Sequence, residues 1–280
     1  MDHHARPSNG RPGRTEQRRT ALVTGASAGI GEAFADVFAS EGFDLVLVAR
    51  REDRLRAIAS RLEQQHRIRA HAIVCDLSRR DAVRDLVAEL STRGVAVDAL
   101  VNNAGYGIPG VFTASTWEQH DAMLQVMLVS VCELTHAMLP GMIARGYGRI
   151  INVASLAGLV PAPAGHTLYA AVKAFLIKFT ESLSHETSAR GVYVTALCPG
   201  FTLSEFHDVT GTRDRVSRLP AWMWMDAATV ARQGYAAVMS GAPVYINGRV
   251  NRGIALLARY VPQSVVSAIG RSFGRAYRAT

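Results

Sequence analysis

A chain of 280 residues with 49% hydrophobic side chains is long enough for one large α/β domain or two small ones, and too apolar for disorder throughout. Its formal charge of +8 sits at the ends: residues 1–19 hold five arginines against Asp2 and Glu16, and residues 249–280 hold six arginines and no acid. The near-neutral body excludes a dedicated nucleic-acid domain, which would gather its basic residues on one face.

Residues 1–19 read as a flexible basic leader. From Thr20 onward, short apolar runs alternate with amphipathic stretches. Strands are expected at Ala21–Thr24, Leu45–Ala49, His71–Cys75, Ala99–Val101, Arg149–Ala154, Tyr193–Cys198 and Val244–Ile246, and helices at Gly31–Ser40, Arg51–His66, Arg79–Thr92, Thr116–Ala144 and Leu168–Ser188. That alternation predicts βαβ units in one α/β domain over residues 20–248: a single doubly wound parallel sheet of Rossmann type with helices on both faces. The stretch 200–224 breaks the rhythm and reads as a lid insertion, and residues 249–280 read as a basic amphipathic tail.

Cys75, Cys132 and Cys198 are widely spaced in apolar runs, as reduced core thiols are; His136, His166 and His185 show no metal-ligand spacing, and no metal site is expected. No run of 18 uncharged apolar residues occurs, and the N-terminus lacks the apolar stretch of a secretion signal. A cytoplasmic protein is expected.

The first strand runs into Thr24-Gly25-Ala26-Ser27-Ala28-Gly29-Ile30-Gly31 and then a helix. Glycines permit a tight turn and close backbone approach, while a helix N-terminus offers free N–H groups and a positive dipole end to a pyrophosphate. The second strand ends at Arg50-Arg51, with no acid until Glu52. A dinucleotide fold reads the adenosine ribose there, with an acid for a 2′-hydroxyl and arginine for a 2′-phosphate. NADP is therefore expected ahead of NAD, and Arg50 ahead of Arg51 as its reader. A solvated pair at a helix start is the plainer alternative. Cys75-Asp76-Leu77 and Asn102-Asn103-Ala104-Gly105 fall at the next two strand ends, where a parallel sheet opens its ligand crevice. Asp76 could accept from an adenine amino group and the asparagine turn could lie against adenosine; helix caps and turns would use the same residues.

Of 31 basic side chains, 29 are arginine, yet Lys173 stands four residues after Tyr169. A helix brings positions i and i+4 side by side. An ammonium about 4 Å from a phenol, at an effective dielectric of about 20, is worth roughly 4 kcal/mol. That is enough to bring a group that titrates near 10 toward neutrality, where it could exchange a proton with an alcohol or carbonyl. A chance surface pair is the bland reading.

Taken in order, the glycine turn, Asn102-Asn103-Ala104-Gly105, Ser155, Tyr169-Ala170-Ala171-Val172-Lys173 and Pro199-Gly200 resemble the short-chain dehydrogenase/reductase family over nearly all of residues 20–248. The resemblance implies an NAD(P)-dependent oxidoreductase. In it Tyr169 is the acid/base, Lys173 lowers its pKa and holds the nicotinamide ribose, and Ser155 binds the substrate oxygen. Gly25, Ser27, Gly29, Ile30, Gly31, Arg50, Asp76, Leu77, Asn103, Ala104 and Gly105 would line the cofactor, and Pro199, Gly200 and Thr202 its nicotinamide end, near Val160-Pro161. Homo-dimers or homo-tetramers through two long helices are also implied.

Two departures stand out. Ser155 and Tyr169 are one residue further apart than in the family, with the surplus within 161–168. Met127 falls where the family has an asparagine thought to hold a relay water, and a thioether cannot donate a hydrogen bond.

The lid is rich in apolar bulk (Phe201, Leu203, Phe206, Trp222, Met223, Trp224 and Met225), which would wall an apolar substrate pocket or pack the lid onto its domain. The tail interleaves Leu256, Leu257, Val261, Val265, Val266, Ile269 and Phe273 with arginines; packing on the domain or on another subunit is expected ahead of contact with anionic lipid. The leading expectation is an NADP-preferring enzyme interconverting an alcohol and a carbonyl on an apolar small molecule. The alternatives are a catalytically silent dinucleotide-binding sensor or scaffold, and a lipid-metabolising reductase at a membrane surface.

Overall fold

The structure is a computed structural model and describes residues 18–108, 110–162, 165, 167–203 and 220–261. Its strands are β1 (Thr20–Thr24), β2 (Asp44–Ala49), β3 (Ala70–Val74), β4 (Ala99–Asn102), β5 (Gly148–Val153), β6 (Val192–Cys198), β7 (Thr202–Leu203), β8 (Met225–Asp226) and β9 (Val244–Ile246). Seven of these form one sheet in the order β3-β2-β1-β4-β5-β6-β9, and every neighbouring pair is parallel. A parallel sheet needs cover on both faces. The residues match: β2 is buried along its whole length, with Leu45, Val46, Leu47 and Val48 fully inaccessible.

On one face α1 (Gly29–Ser40), α2 (Glu52–His66) and α7 (Ala227–Met239) bury Phe34, Phe38, Leu55, Leu62, Val230 and Val238. On the other, α3 (Ala82–Thr92), α4 (Trp117–Leu124), α5 (Ser130–Arg145) and α6 (Thr167–Thr187) bury Leu86, Met123, Leu134, Met142 and Val172. A final helix, α8 (Arg249–Tyr260), follows β9.

The expected strands fall within a residue or two of those observed. The helix expected over 116–144 is interrupted by a π-helical turn, Gln125–Val129, which joins α4 to α5. The run from Trp117 to Arg145 is long and apolar enough to cross a membrane by length and composition, and here it lies in the helical layer beside the sheet. Sequence reading missed α7. Its Gly234 explains how close it comes: a Cβ there would stand 2.7 Å from Phe34 Cζ and 2.8 Å from Leu197 Cδ2.

A buried polar chain ties the second layer to the sheet where β4 and β5 end. Asn102 Nδ2 donates to Asn152 Oδ1 (2.8 Å) and Thr135 Oγ1 (3.2 Å), and Asn152 Nδ2 donates to Thr180 Oγ1 (2.8 Å). Such a chain is costly to leave half-paired, so it fixes α5 and α6 relative to the strand ends.

Candidate active site

The crevice opens at the carboxyl ends of β1, β4, β5 and β6. At β1, Gly25 and Gly29 take φ values of 66° and 58°, the left-handed region that other residues enter only with strain. Gly31 closes the turn, since a Cβ there would lie 2.2 Å from the Gly25 carbonyl oxygen. Ala28 precedes α1 without any side-chain cap, so the first N–H groups of the helix point outward unclaimed by a capping side chain. An uncapped N-terminus behind a glycine cradle suits a diphosphate.

The turn after β4 is bolted to this cradle. Thr24 Oγ1 accepts from the amides of Asn103 and Ala104, each at 3.0 Å, and donates to Val101 O (3.2 Å); Asn103 Nδ2 donates to Thr24 O (2.9 Å). Asn103 is thus a turn residue that fixes two loops. Asp76 likewise serves its own turn, its Oδ1 accepting from the amide and hydroxyl of Ser78 (3.0 and 2.8 Å). Burial works against the charged Asp76, but these bonds and the nearby Arg50 and Arg79 outweigh it and hold the carboxyl below its usual range.

The two arginines part company. Arg51 folds back onto the glycine turn, donating to Ser27 Oγ (3.1 and 3.2 Å) and Ser27 O (3.2 Å). Arg50 is exposed and acts electrostatically on Asp76 and on Tyr106, whose phenol burial raises.

At the end of β5, Ser155 caps the short turn Leu156–Gly158, its Oγ accepting from the Ala157 amide at 3.1 Å. Gly158 lies against α6 so tightly that a Cβ would come within 2.6 Å of the Lys173 carbonyl carbon. That contact brings Tyr169, on the first turns of α6, to Ser155: the two side chains are hydrogen-bonded. Lys173 is buried, donates to Val153 O at 2.6 Å, and stands with Nζ 5.6 Å from the Tyr169 ring centre. Burial pulls its pKa to about 8, against the Cys198 sulfur beside it, and pushes Cys198 up to about 12.

One expectation needs correction here. The spacing Tyr169 to Lys173 predicts a phenol of lowered pKa. Burial instead raises it, and the counterweight is the Ser155 hydrogen bond. The lysine is turned to the Val153 carbonyl, so its charge is spent on the strand end. Met127 is fully buried against the asparagine turn, its side-chain atoms 3.3–3.4 Å from where a Gly105 Cβ would be. The expected site for an amide holds a thioether instead.

At the outer end, Pro199 O accepts from Leu156 N (2.9 Å), and Gly200 packs against Asn251 of α8 so closely that a Cβ would lie 2.5 Å from its Nδ2. Thr202 is buried and donates to Gly200 O at 3.2 Å. The structure therefore brings the predicted residues of β1, β4, β5, α6 and β6 to one crevice, with Arg50, Asp76 and Leu77 at its β2–β3 side.

A sequence profile of the short chain dehydrogenases matches residues 19–214. The chain belongs to that family. It is accordingly an NAD(P)-dependent oxidoreductase of alcohol and carbonyl groups. This short-chain dehydrogenase is 34% identical to nodulation protein G of Rhizobium sp. (strain N33) over 85% of its own length and 98% of the relative's. It is 32% identical to the very-long-chain 3-oxoacyl-CoA reductase of Anas platyrhynchos over 68% of its length and 62% of that protein's. Among solved structures it matches a short-chain dehydrogenase from Sphingobium yanoikuyae in complex with NADPH, with a TM-score of 0.76 and 31% identity over 89% and 95% of the two chains.

Sequence reading of this short-chain dehydrogenase missed the residues that border Tyr169. A cavity of about 20 Å³ beside the phenol is lined by Ile108, Phe112, His120, Met123 and Leu168 among others, and an open cleft of about 380 Å³ next to it by Tyr106, Ile108 and Glu118 among others. His120 stacks on Phe112 (4.8 Å, 16°) and its Nε2 meets Phe112 O at 2.9 Å. Since a carbonyl only accepts, Nε2 carries the proton. Nδ1 is buried and has no hydrogen-bond partner among the described residues. No spacing rule marks these residues, which come from a loop and a helix start. In the lid, Phe201 packs on Trp224 (5.6 Å) while Trp222 and Leu203 are exposed, so bulk expected to wall a pocket is divided between packing and solvent. Phe206 and His166 lie outside the described residues.

Proposed function

We propose that the protein is an NADP-preferring reductase of an apolar carbonyl compound, with Tyr169 as proton donor, Ser155 binding the substrate oxygen and Lys173 positioning the nicotinamide ribose. The observation that carries this reading is the half-buried Ser155–Tyr169 hydrogen bond beside the buried Lys173. NADPH, when bound, supplies the hydride. Gly25, Ser27, Gly29, Ile30 and Gly31 would cradle its diphosphate, Arg50 would meet the 2′-phosphate, Asp76, Leu77, Asn103, Ala104 and Gly105 the adenosine half, and Pro199, Gly200 and Thr202 the nicotinamide. Preference for NADP draws support from Arg50-Arg51 without an acid at the end of β2, and from the NADPH complex of the Sphingobium relative.

Reduction is the direction that suits the phenol. A group whose pKa is raised stays protonated at neutral pH, and a protonated phenol gives a proton to a carbonyl oxygen as the carbon gains hydride. Oxidation of the alcohol would need the phenolate and would gain on reduction as pH rises. Apolar substrates suit the lining by Tyr106, Ile108, Phe112, Met123 and Leu168. The named activity of the Anas relative, a 3-oxoacyl-CoA reductase, puts 3-oxoacyl thioesters first in the panel.

The test is turnover of purified protein with NADPH and NADH against 3-oxoacyl thioesters and bulky apolar ketones. Tyr169→Phe should lower kcat by about 10²–10⁴ while NADPH binding stays nearly intact. Turnover retained in that variant would remove the acid/base role, and NADPH binding without turnover of any panel member would favour the silent sensor.

A further inference from the structure

Helix α8 is inside out for a helix that packs on its own domain. Each residue turns the helix by roughly 100°, which gathers Asn251, Ile254, Ala255 and Ala258 on the covered side. Outward face Leu256, Leu257 and Tyr260, at 60%, 68% and 74% exposure, together with Val250. A soluble helix places its bulky apolar residues inward; here Ile254 alone of them is turned inward, beside Asn251, Ala255 and Ala258, while Val250, Leu256, Leu257 and Tyr260 face out. The leucines expected to pack on the domain or on another subunit are left uncovered by the domain over the described part of the tail. Arg252 and Arg259 flank the apolar arc on one side, Arg249 lies within it at the start of the helix, and all three are exposed.

The neighbouring lid extends the same surface. Gly248, at the start of α8, lies against Met225 of β8, where a Cβ would be 3.1 Å from Sδ, and β8 pairs with β7 through Leu203 and Asp226. Trp222 (64% exposed), just before Met225 in the chain, and Leu203, on the strand paired with β8, add exposed apolar bulk near the start of α8. Six of the eleven large apolar side chains exposed among the described residues belong to this one end: Leu203, Trp222, Val250, Leu256, Leu257 and Tyr260.

We propose that this face, α8 with Trp222 and Leu203 beside it, docks on an anionic membrane surface. Charge complementarity selects the occupant. Among the described residues α8 carries Arg249, Arg252 and Arg259 and no acid, so a second copy laid antiparallel on the face would bring the arginines of one helix beside those of the other. A bilayer with anionic headgroups takes both parts: leucines enter the acyl boundary, Trp and Tyr sit at headgroup level, and arginines keep their charge in water while their stems lie on the apolar surface. The inference stands apart from the reductase reading, and its test uses no turnover.

Co-sedimentation of the full chain with vesicles of phosphatidylglycerol and phosphatidylcholine in equal parts, against phosphatidylcholine alone, reads the partition. Binding should be at least about tenfold stronger to the anionic vesicles and should fall with salt as the Debye length contracts. The double variant L256E/L257E should reduce it at least about tenfold, and each of Arg252→Gln and Arg259→Gln about fivefold. These side chains are exposed, so unchanged melting temperatures would verify that the variants fold. Trp222 emission should shift to the blue on anionic vesicles, and Trp222→Phe should remove most of that shift. No binding by the full chain, or binding that L256E/L257E leaves intact, would overturn the inference. So would self-association abolished by the same double variant in place of vesicle binding.

Discussion

At the glycine turn, room for a ligand is cut by backbone: Gly31 sits where a methyl group would meet the Gly25 carbonyl at 2.2 Å, and Thr24 bolts the neighbouring loop in place through two 3.0 Å bonds. At the lid, room is left by side chains: Phe201 leans on Trp224 while Trp222 and Leu203 stand in solvent. The first arrangement tolerates no Cβ at Gly31 and suits the dinucleotide proposed for it. The second can change shape residue by residue without disturbing the sheet, which is where a substrate would be chosen.

The sharpest way to break this contrast is a methyl group in each region. Gly31→Ala should abolish nucleotide binding or cost about 3 kcal/mol or more in stability, because the clash is with backbone that cannot step aside; denaturant melts with and without NADPH would read it. Next in size is Arg50→Asp, which should weaken NADPH binding at least about tenfold and leave NADH nearly unchanged, measured by fluorescence titration. Equal loss for both dinucleotides would return Arg50 to the solvated reading.

A third test lies in the pH dependence of stability. The buried Lys173 has a pKa near 8 against an ordinary 10.5, so between those values the unfolded chain holds a proton that the folded chain has released. Stability then rises with pH across the window. Lys173→Met lacks that contribution, and the difference between wild type and variant in urea melts should move in favour of the wild type from about pH 8 to 10.5. The smallest effect belongs to the lid. Trp222→Ala should change stability by no more than about 0.5 kcal/mol, and a larger loss would mean that Trp222 is part of the packed scaffold.

The sheet was legible because buried parallel strands are written as continuous apolar runs; Leu45–Ala49 could hardly be anything else. The glycine turn was legible for a related reason, since few residues can occupy a positive φ. Helix α7 was not. Its alanines and Gly234 give no strong apolar stripe, and its packing depends on Phe34, far away in the sequence. The π turn at Gln125–Val129 leaves no composition signal either. The direction of the Tyr169 shift was misread because spacing measures the distance to a charge and says nothing of burial, and burial is the larger influence. His120 and Phe112 reach the cavity beside the phenol from the start of α4 and the loop before it, which no spacing rule marks.

Scarcity of lysine gives the fold a chemical asymmetry. Of its two ε-amines, Lys173 is 6% exposed and held by a strand carbonyl, whereas the Lys178 side chain is 79% exposed, on the same helix about one and a half turns on, and paired with Glu181. Reagents that acylate amines will find Lys178 and pass over Lys173, so a dye or a solid support can be attached through that lysine while its buried counterpart keeps its proton chemistry.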